Sequence, residues 1–165
     1  MAIYSAAFAG TAVSAAVDIF NGRAPARTRL RLREIRVGQY SDFGDAAAEI
    51  LGMTLRRGFD IDATPATTVT PVNLSGVTGN LACDTGIVIG VTDTGLTGDT
   101  GGATNSELLI SDVMNIAAGW WYYPPEEECP IIEADENFAL RVTAPADAIT
   151  MSGTLIFETI GKPGN

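Results

Sequence analysis

The sequence predicts an all-β fold: one domain over residues 1–165, a β-sandwich or jelly roll of about eight strands with long Thr-, Gly- and Pro-rich loops. Three observations predict it. The C-terminal part alternates cleanly, with Phe138, Leu140 and Val142 set against Ala139, Arg141 and Thr143, and Ile149, Met151, Leu155 and Phe157 set against Thr150, Ser152, Thr154 and Glu158. A period of two marks strands with one buried and one wet face. Helical spacing is absent, and the best helical candidate, Asp45–Leu51, is short and followed at once by Gly52. Finally, 46% of residues are apolar and only 18% charged, so Thr, Ser, Asn, Gly and backbone must cover the surface, as in sandwiches with polar loops. A chain of 165 residues buries about 70% of the surface its unfolded form exposes.

Taken in order, the first candidates are Ile3–Phe8 and Val13–Ile19. Met1–Ala16 is apolar and rich in Ala and Ser like a signal peptide, but it lacks a basic start and is interrupted by Tyr4, Ser5 and Thr11. It reads as a buried strand pair turning at Gly10. Thr28–Gln39 follows, with Leu30 and Leu32 on one parity and Ile35 and Val37 on the other. A β-bulge near Arg33–Glu34 would return both pairs to the core. Glu49–Arg57, Ile87–Thr92, Ser106–Asn115 and Gly119–Tyr123 come next, then Asn137–Thr143 and Ile149–Ile160 joined by Ala144–Ala148. Gly153 falls on the apolar side of the last strand, where a missing side chain marks a bulge or the close approach of another backbone. Asp60–Val77 and Thr92–Asn105 read as long exposed loops inserted in the one domain. No segment has the roughly 18 uninterrupted apolar residues of a membrane-spanning helix.

The chain contains no histidine, which removes the usual general base, the commonest metal ligand and every Ser-His or Cys-His nucleophile pair. Paired carboxylates remain, from Asp93 and Asp99 or from the six acids of Glu126–Glu136; a solvated acidic loop uses the same residues. Asp93 to Asp99 lacks the ligand spacing of a calcium-binding EF-hand, and Gly98–Gly102 lacks the Gly-Lys-Ser/Thr of a phosphate loop. No catalytic, metal-binding or cofactor-binding residue is therefore expected. A net charge of −10 opposes phosphate backbones and makes nucleic acid an unsuitable partner. Cys83 and Cys129 are read as free thiols.

Two surface features stand out. Strand alternation sends Trp120 and Tyr122 to one face and Trp121 and Tyr123 to the other, and a large aromatic pair left uncovered needs a loop, another subunit or a ligand. Six of the nine arginines lie between Arg23 and Arg36. Arg29, Arg31 and Arg33 share the face opposite Leu30 and Leu32, as a solvated ribbon or as a contact for the acidic segment containing Glu126, Glu127 and Glu128 in a neighbouring copy. Such a heterologous contact closes into a ring, most simply a trimer.

Gly119-Trp120-Trp121-Tyr122-Tyr123-Pro124-Pro125, the acids after it, and FALRVTAPADAITMSGTLIFETIG together resemble a family of small tailed-bacteriophage virion proteins that decorate or cement the capsid. Residues 119–161 carry the resemblance most specifically. LRLREIRVGQYSD, MTLRRG and ATPATTVTPVNL carry it more loosely, so that roughly half the chain is covered. The run Glu126-Glu127-Glu128-Cys129 departs from the family's usual pattern. The resemblance implies a jelly-roll fold, no enzymatic activity, and self-association with docking on the major capsid protein. Its place would be the capsid surface of the virion, reached by assembly in the host cytoplasm. Two alternatives stay open: a carbohydrate- or receptor-binding sandwich using the aromatics as a platform, and a neck or tail protein of the same virion.

Overall fold

The computed structural model describes residues 2–41, 49–59, 68–74, 88–90 and 106–161. Their strands are β1 (Ala2–Val13), β2 (Val17–Arg23), β3 (Thr28–Gln39), β4 (Ile50–Arg57), β5 (Thr68–Val69) and β6 (Val72–Asn73). After these come β7 (Val88–Gly90), β8 (Glu107–Asn115), β9 (Trp120–Tyr122), β10 (Ile131–Ile132), β11 (Asn137–Val142) and β12 (Ile149–Gly161). They form two antiparallel six-stranded sheets. The first runs β10-β3-β12-β1-β6, with β9 also paired to β3; the second runs β5-β7-β2-β11-β4-β8. The expected all-β sandwich is present, and Asp45–Leu51 contributes no helix where it is described, since Ile50 and Leu51 open β4.

The inner faces of both sheets meet in one apolar cluster. Phe8 of β1 meets Phe20 of β2 edge-on across the two sheets, with centroids 5.4 Å apart. Tyr4 stacks on Phe157 at 5.6 Å within the first sheet. Phe20, Phe138, Phe157, Leu30, Leu32 and Leu55 are fully buried, each contributing about 1.5–3 kcal/mol of transfer free energy. Gly153 sits on β12 against the Phe8–Phe20 pair. A Cβ there would lie 2.7 Å from Phe8 Cε1 and 3.1 Å from Phe20 Cε2, so the close neighbours are two aromatic rings rather than a backbone.

The expected bulge in β3 is found at Arg33. Ile156 pairs with Glu34 and Phe157 with Leu32, leaving Arg33 as the extra residue. Leu30, Leu32, Ile35 and Val37 are consequently all buried. The expectation for the N-terminus needs correction. Gly10 does not turn a strand pair: β1 is continuous through it and pairs with β12, with one extra residue between Phe8 and Thr11. Gly10, at φ 70°, supplies the left-handed residue of a bulge. The chain turns only at Ser14–Ala16, and β2 enters the opposite sheet, pairing with β11 and β7.

The segment 60–77, read as loop, contributes β5 to the second sheet and β6 to the first. Likewise Ile131–Ile132, within the acidic segment, pairs with Leu30 and Arg31 as β10. Two-residue strands are too short to display a period. Cys83, Asp93, Asp99 and the Thr92–Asn105 segment lie outside the described residues. No helix among the described residues is long and apolar enough to cross a membrane.

Candidate interaction surface

The aromatic segment is delivered by a tight corner. Ala118 N and Gly119 N donate to Asn115 O at 3.0 and 2.9 Å, while Ala117 N donates to Asn115 Oδ1 at 2.9 Å. Gly119 has φ 74°, and a Cβ on it would lie 2.8 Å from Val37 O. Only glycine combines that backbone conformation with so close an approach. The corner carries the chain from β8 at the edge of one sheet to β9 at the edge of the other, where Trp120, Trp121 and Tyr122 pair with Val37, Arg36 and Ile35.

Alternation along β9 divides the aromatics as expected. Trp120 is buried, stacks on Tyr122 with centroids 5.9 Å apart, and donates its indole N–H to Asp112 Oδ2 at 2.9 Å. Burial pushes the Tyr122 phenol above its ordinary pKa. Trp121 and Tyr123 point outward, each 66% exposed, with ring centroids 6.3 Å apart. Nothing among the described residues covers them.

Trp121 is nonetheless fixed. Its indole N–H donates to Glu34 Oε1 at 2.8 Å, and the Arg36 guanidinium lies over its ring, 5.5 Å from the centroid. Arg36 Nε is bound to the same Glu34 oxygen, and Glu34 itself is nearly buried. A cation over an indole face is worth about 0.5–1 kcal/mol at an exposed site. Three side chains thus hold one another in a single arrangement.

Beyond Tyr123 the chain meets Pro124 and Pro125, which cannot donate to the β3 ladder. A 3₁₀ turn at Glu126–Glu128 follows. Cys129 is buried and free, with its thiol 3.5 Å from Pro125 O; burial, ahead of the opposing Arg33 and Arg31 charges, raises its pKa.

The basic ribbon and the acidic segment meet within one chain. Arg31 Nη1 donates to Glu126 Oε1 at 2.7 Å, Arg29 Nη1 lies 3.5 Å from Glu133 Oε1, and Arg23 Nη2 lies 3.7 Å from Asp135 Oδ1. The physical reason is β10, which pairs with the β3 edge at Leu30 and Arg31 and brings the acids beside the arginines. Glu127 and Glu128 are exposed. Arg33 donates to Glu158 Oε2 at 2.9 Å, and Arg31 Nη1 lies 3.5 Å from that atom. Glu158 is buried, and its hydrogen bond is the main reason the Arg33 pKa is raised.

Glu34, Arg36, Asp112 and Glu158 were not singled out in the sequence. Arg36 and Glu34 were accessible, because a bulge at Arg33 sends Arg36 to the face opposite Ile35 and Val37. Asp112 and Glu158 carry no such signal, since their partners come from other strands. Among the described residues no group of three or more His, Cys, Asp or Glu could hold a metal ion.

The surface therefore offers a fixed Trp121–Tyr123–Arg36 patch at the β9 edge, flanked by internally matched charge. Comparison with protein families, with characterised proteins and with solved structures finds no match to this chain.

Proposed function

We propose that this protein is a non-enzymatic virion structural protein: a jelly-roll subunit that decorates and stabilises the outer capsid surface of a tailed bacteriophage as a trimer. The observation that carries this reading is the outward Trp121–Tyr123 pair, each ring 66% exposed and Trp121 held by Glu34 and Arg36. Trp, Tyr and Arg are the residue types that dominate binding energy at protein interfaces. A fixed aromatic anchor loses little conformational freedom on docking, which favours adhesion over adaptable ligand capture. The resemblance of residues 119–161 to capsid-decorating proteins points the same way. In a trimer three such anchors would act together, and one released contact would rebind at high effective concentration while the others held.

The test has two parts. Light scattering on the purified protein gives its mass, and co-sedimentation with capsids lacking it gives stoichiometry. A trimer that saturates capsids at a regular ratio, and fails to do so as Trp121→Ala, supports the reading. A monomer that leaves capsids unbound overturns it.

A further inference from the structure

Beside the aromatic patch, the first sheet carries an open trough of about 260 Å³ bordered by the outward positions Arg36, Gly38, Ser152 and Thr154, with the inward positions Phe8, Val37 and Gly153 at its base. Its position follows from register. Arg36 pairs with Thr154 and Gly38 with Ser152 across β3 and β12, so two hydroxyl residues and an arginine flank a position with no side chain. A Cβ on Gly38 would meet nothing within 4 Å. Arg36, which borders the trough, is held in place: its Nε is bound to Glu34 and its Cζ lies over the Trp121 ring. Among the described residues its two Nη groups and the hydroxyls of Ser152 and Thr154 have no protein partner.

We propose that this trough binds a single carboxylated sugar ring of the uronic-acid type. A guanidinium held at Nε, with both Nη groups unpartnered among the described residues, matches a carboxylate through paired hydrogen bonds. The Ser152 and Thr154 hydroxyls both donate and accept, as ring hydroxyls require. The missing side chain at Gly38 leaves open space that admits a ring close to the sheet. The volume lies just below the 300–1,000 Å³ range of pockets for drug-sized ligands, which suits one ring and not a longer saccharide. The site goes beyond the capsid-docking reading and does not depend on it.

The test is a two-dimensional NMR titration of the free, full-length ¹⁵N-labelled protein with glucuronate, glucose and acetate. Glucuronate should shift the resonances of residues 36, 38, 152 and 154 with a dissociation constant in the millimolar range, as expected for one ring in an open site. Glucose and acetate should each bind several-fold more weakly. Gly38→Val fills that open space and suits a strand, so it should fold normally and lose roughly tenfold or more in affinity. Arg36→Lys should lose the preference for glucuronate over glucose, because an ammonium lacks the paired donors. Silence at about 100 mM glucuronate, far above a millimolar constant, overturns the proposal. So does acetate matching glucuronate, or a Gly38→Val variant that binds like the parent. Capsid co-sedimentation is read on a different sample, so either reading can fail alone.

Discussion

Glu34 accepts the indole N–H of Trp121 at 2.8 Å through the same carboxylate oxygen that binds Arg36 Nε. A nearly buried acid on β3 is thereby the fixed point of an otherwise exposed patch. Glu34→Ala should release both partners and leave the Trp121 ring free to change rotamer. The expected cost is about 1–2 kcal/mol, the range for hydrogen bonds to a charged acceptor with partial exposure. Thermal unfolding should fall by roughly 2–4 °C per kcal/mol for a chain of this size. Circular dichroism melts measure the loss, and an unchanged midpoint would mean that the triad contributes no stability.

A Cβ on Gly153 would lie 2.7 Å from Phe8 Cε1, closer than a Cβ sits to a neighbour, and 3.1 Å from Phe20 Cε2, where the ring would have to yield by a few tenths of an ångström. Gly153→Ala should therefore destabilise by overpacking, by about 1–3 kcal/mol, although alanine is ordinarily the better strand residue. Urea unfolding with an unchanged slope and a lower midpoint is the expected record. A stabilised Gly153→Ala variant would show that the two rings can yield.

The contrast between Gly153 and Gly10 explains what the sequence could convey. Gly153 interrupts an alternation, so its place on the buried side is readable from parity alone. Gly10 lies between two apolar runs, and a hairpin turn and a bulge in one long strand look alike until the partner strand is known; β12 decides it. Arg33 was legible as a bulge because two leucines and the Ile35–Val37 pair demanded opposite parities. The exposure of Trp121 and Tyr123 was legible for the same reason. The pairing of Arg31 with Glu126 in the same chain was not, since β10 is too short to announce itself.

Asp112 accepts Trp120 Nε1 at 2.9 Å and Val113 N at 2.8 Å. These two bonds, in that order, hold its carboxyl below the ordinary value of 3.8. A depressed folded pKa contributes stability that is full above the unfolded value and is lost as pH falls through the folded one. Asp112→Asn should thus be less stable than the parent at neutral pH, by about 1 kcal/mol given the exposure of the site. The difference should shrink below about pH 4, as the parent's own Asp112 is protonated. Urea midpoints across that pH range measure it. A gap that persists into acid would assign the effect to packing at the β8–β9 corner instead of charge.

Glu158 is buried with Arg33 at 2.9 Å and Arg31 at 3.5 Å. Glu158→Gln leaves two guanidinium groups facing each other without their shared counter-charge. Because both arginines remain partly exposed, the cost should lie near the low end for a broken buried pair, about 2–3 kcal/mol. Salt separates this site from the exposed Arg31–Glu126 pair: screening weakens the latter and barely reaches the former. Arg31→Glu consequently disturbs the fold of a single chain, because it places a second carboxylate beside Glu158. Its effect on association has to be read against its effect on the melting of the subunit.

Trp121 and Tyr123 are the residues whose removal should separate binding from folding. Each is two-thirds exposed and lies outside the apolar cluster. Trp121→Ala and Tyr123→Ala should therefore shift unfolding free energy by no more than about 0.5 kcal/mol, apart from the indole hydrogen bond to Glu34. At a docking interface the same truncations should act as hot spots and cost about 2 kcal/mol or more each, roughly thirtyfold in affinity. Trp121→Phe isolates the two contributions, since it keeps an aromatic ring and deletes the donor to Glu34. If Phe retains capsid affinity while Ala loses it, the aromatic surface is the anchor. Equal losses for Phe and Ala would assign the energy to the Glu34-held orientation of the ring, and wild-type affinity for Ala would remove the patch from the interface.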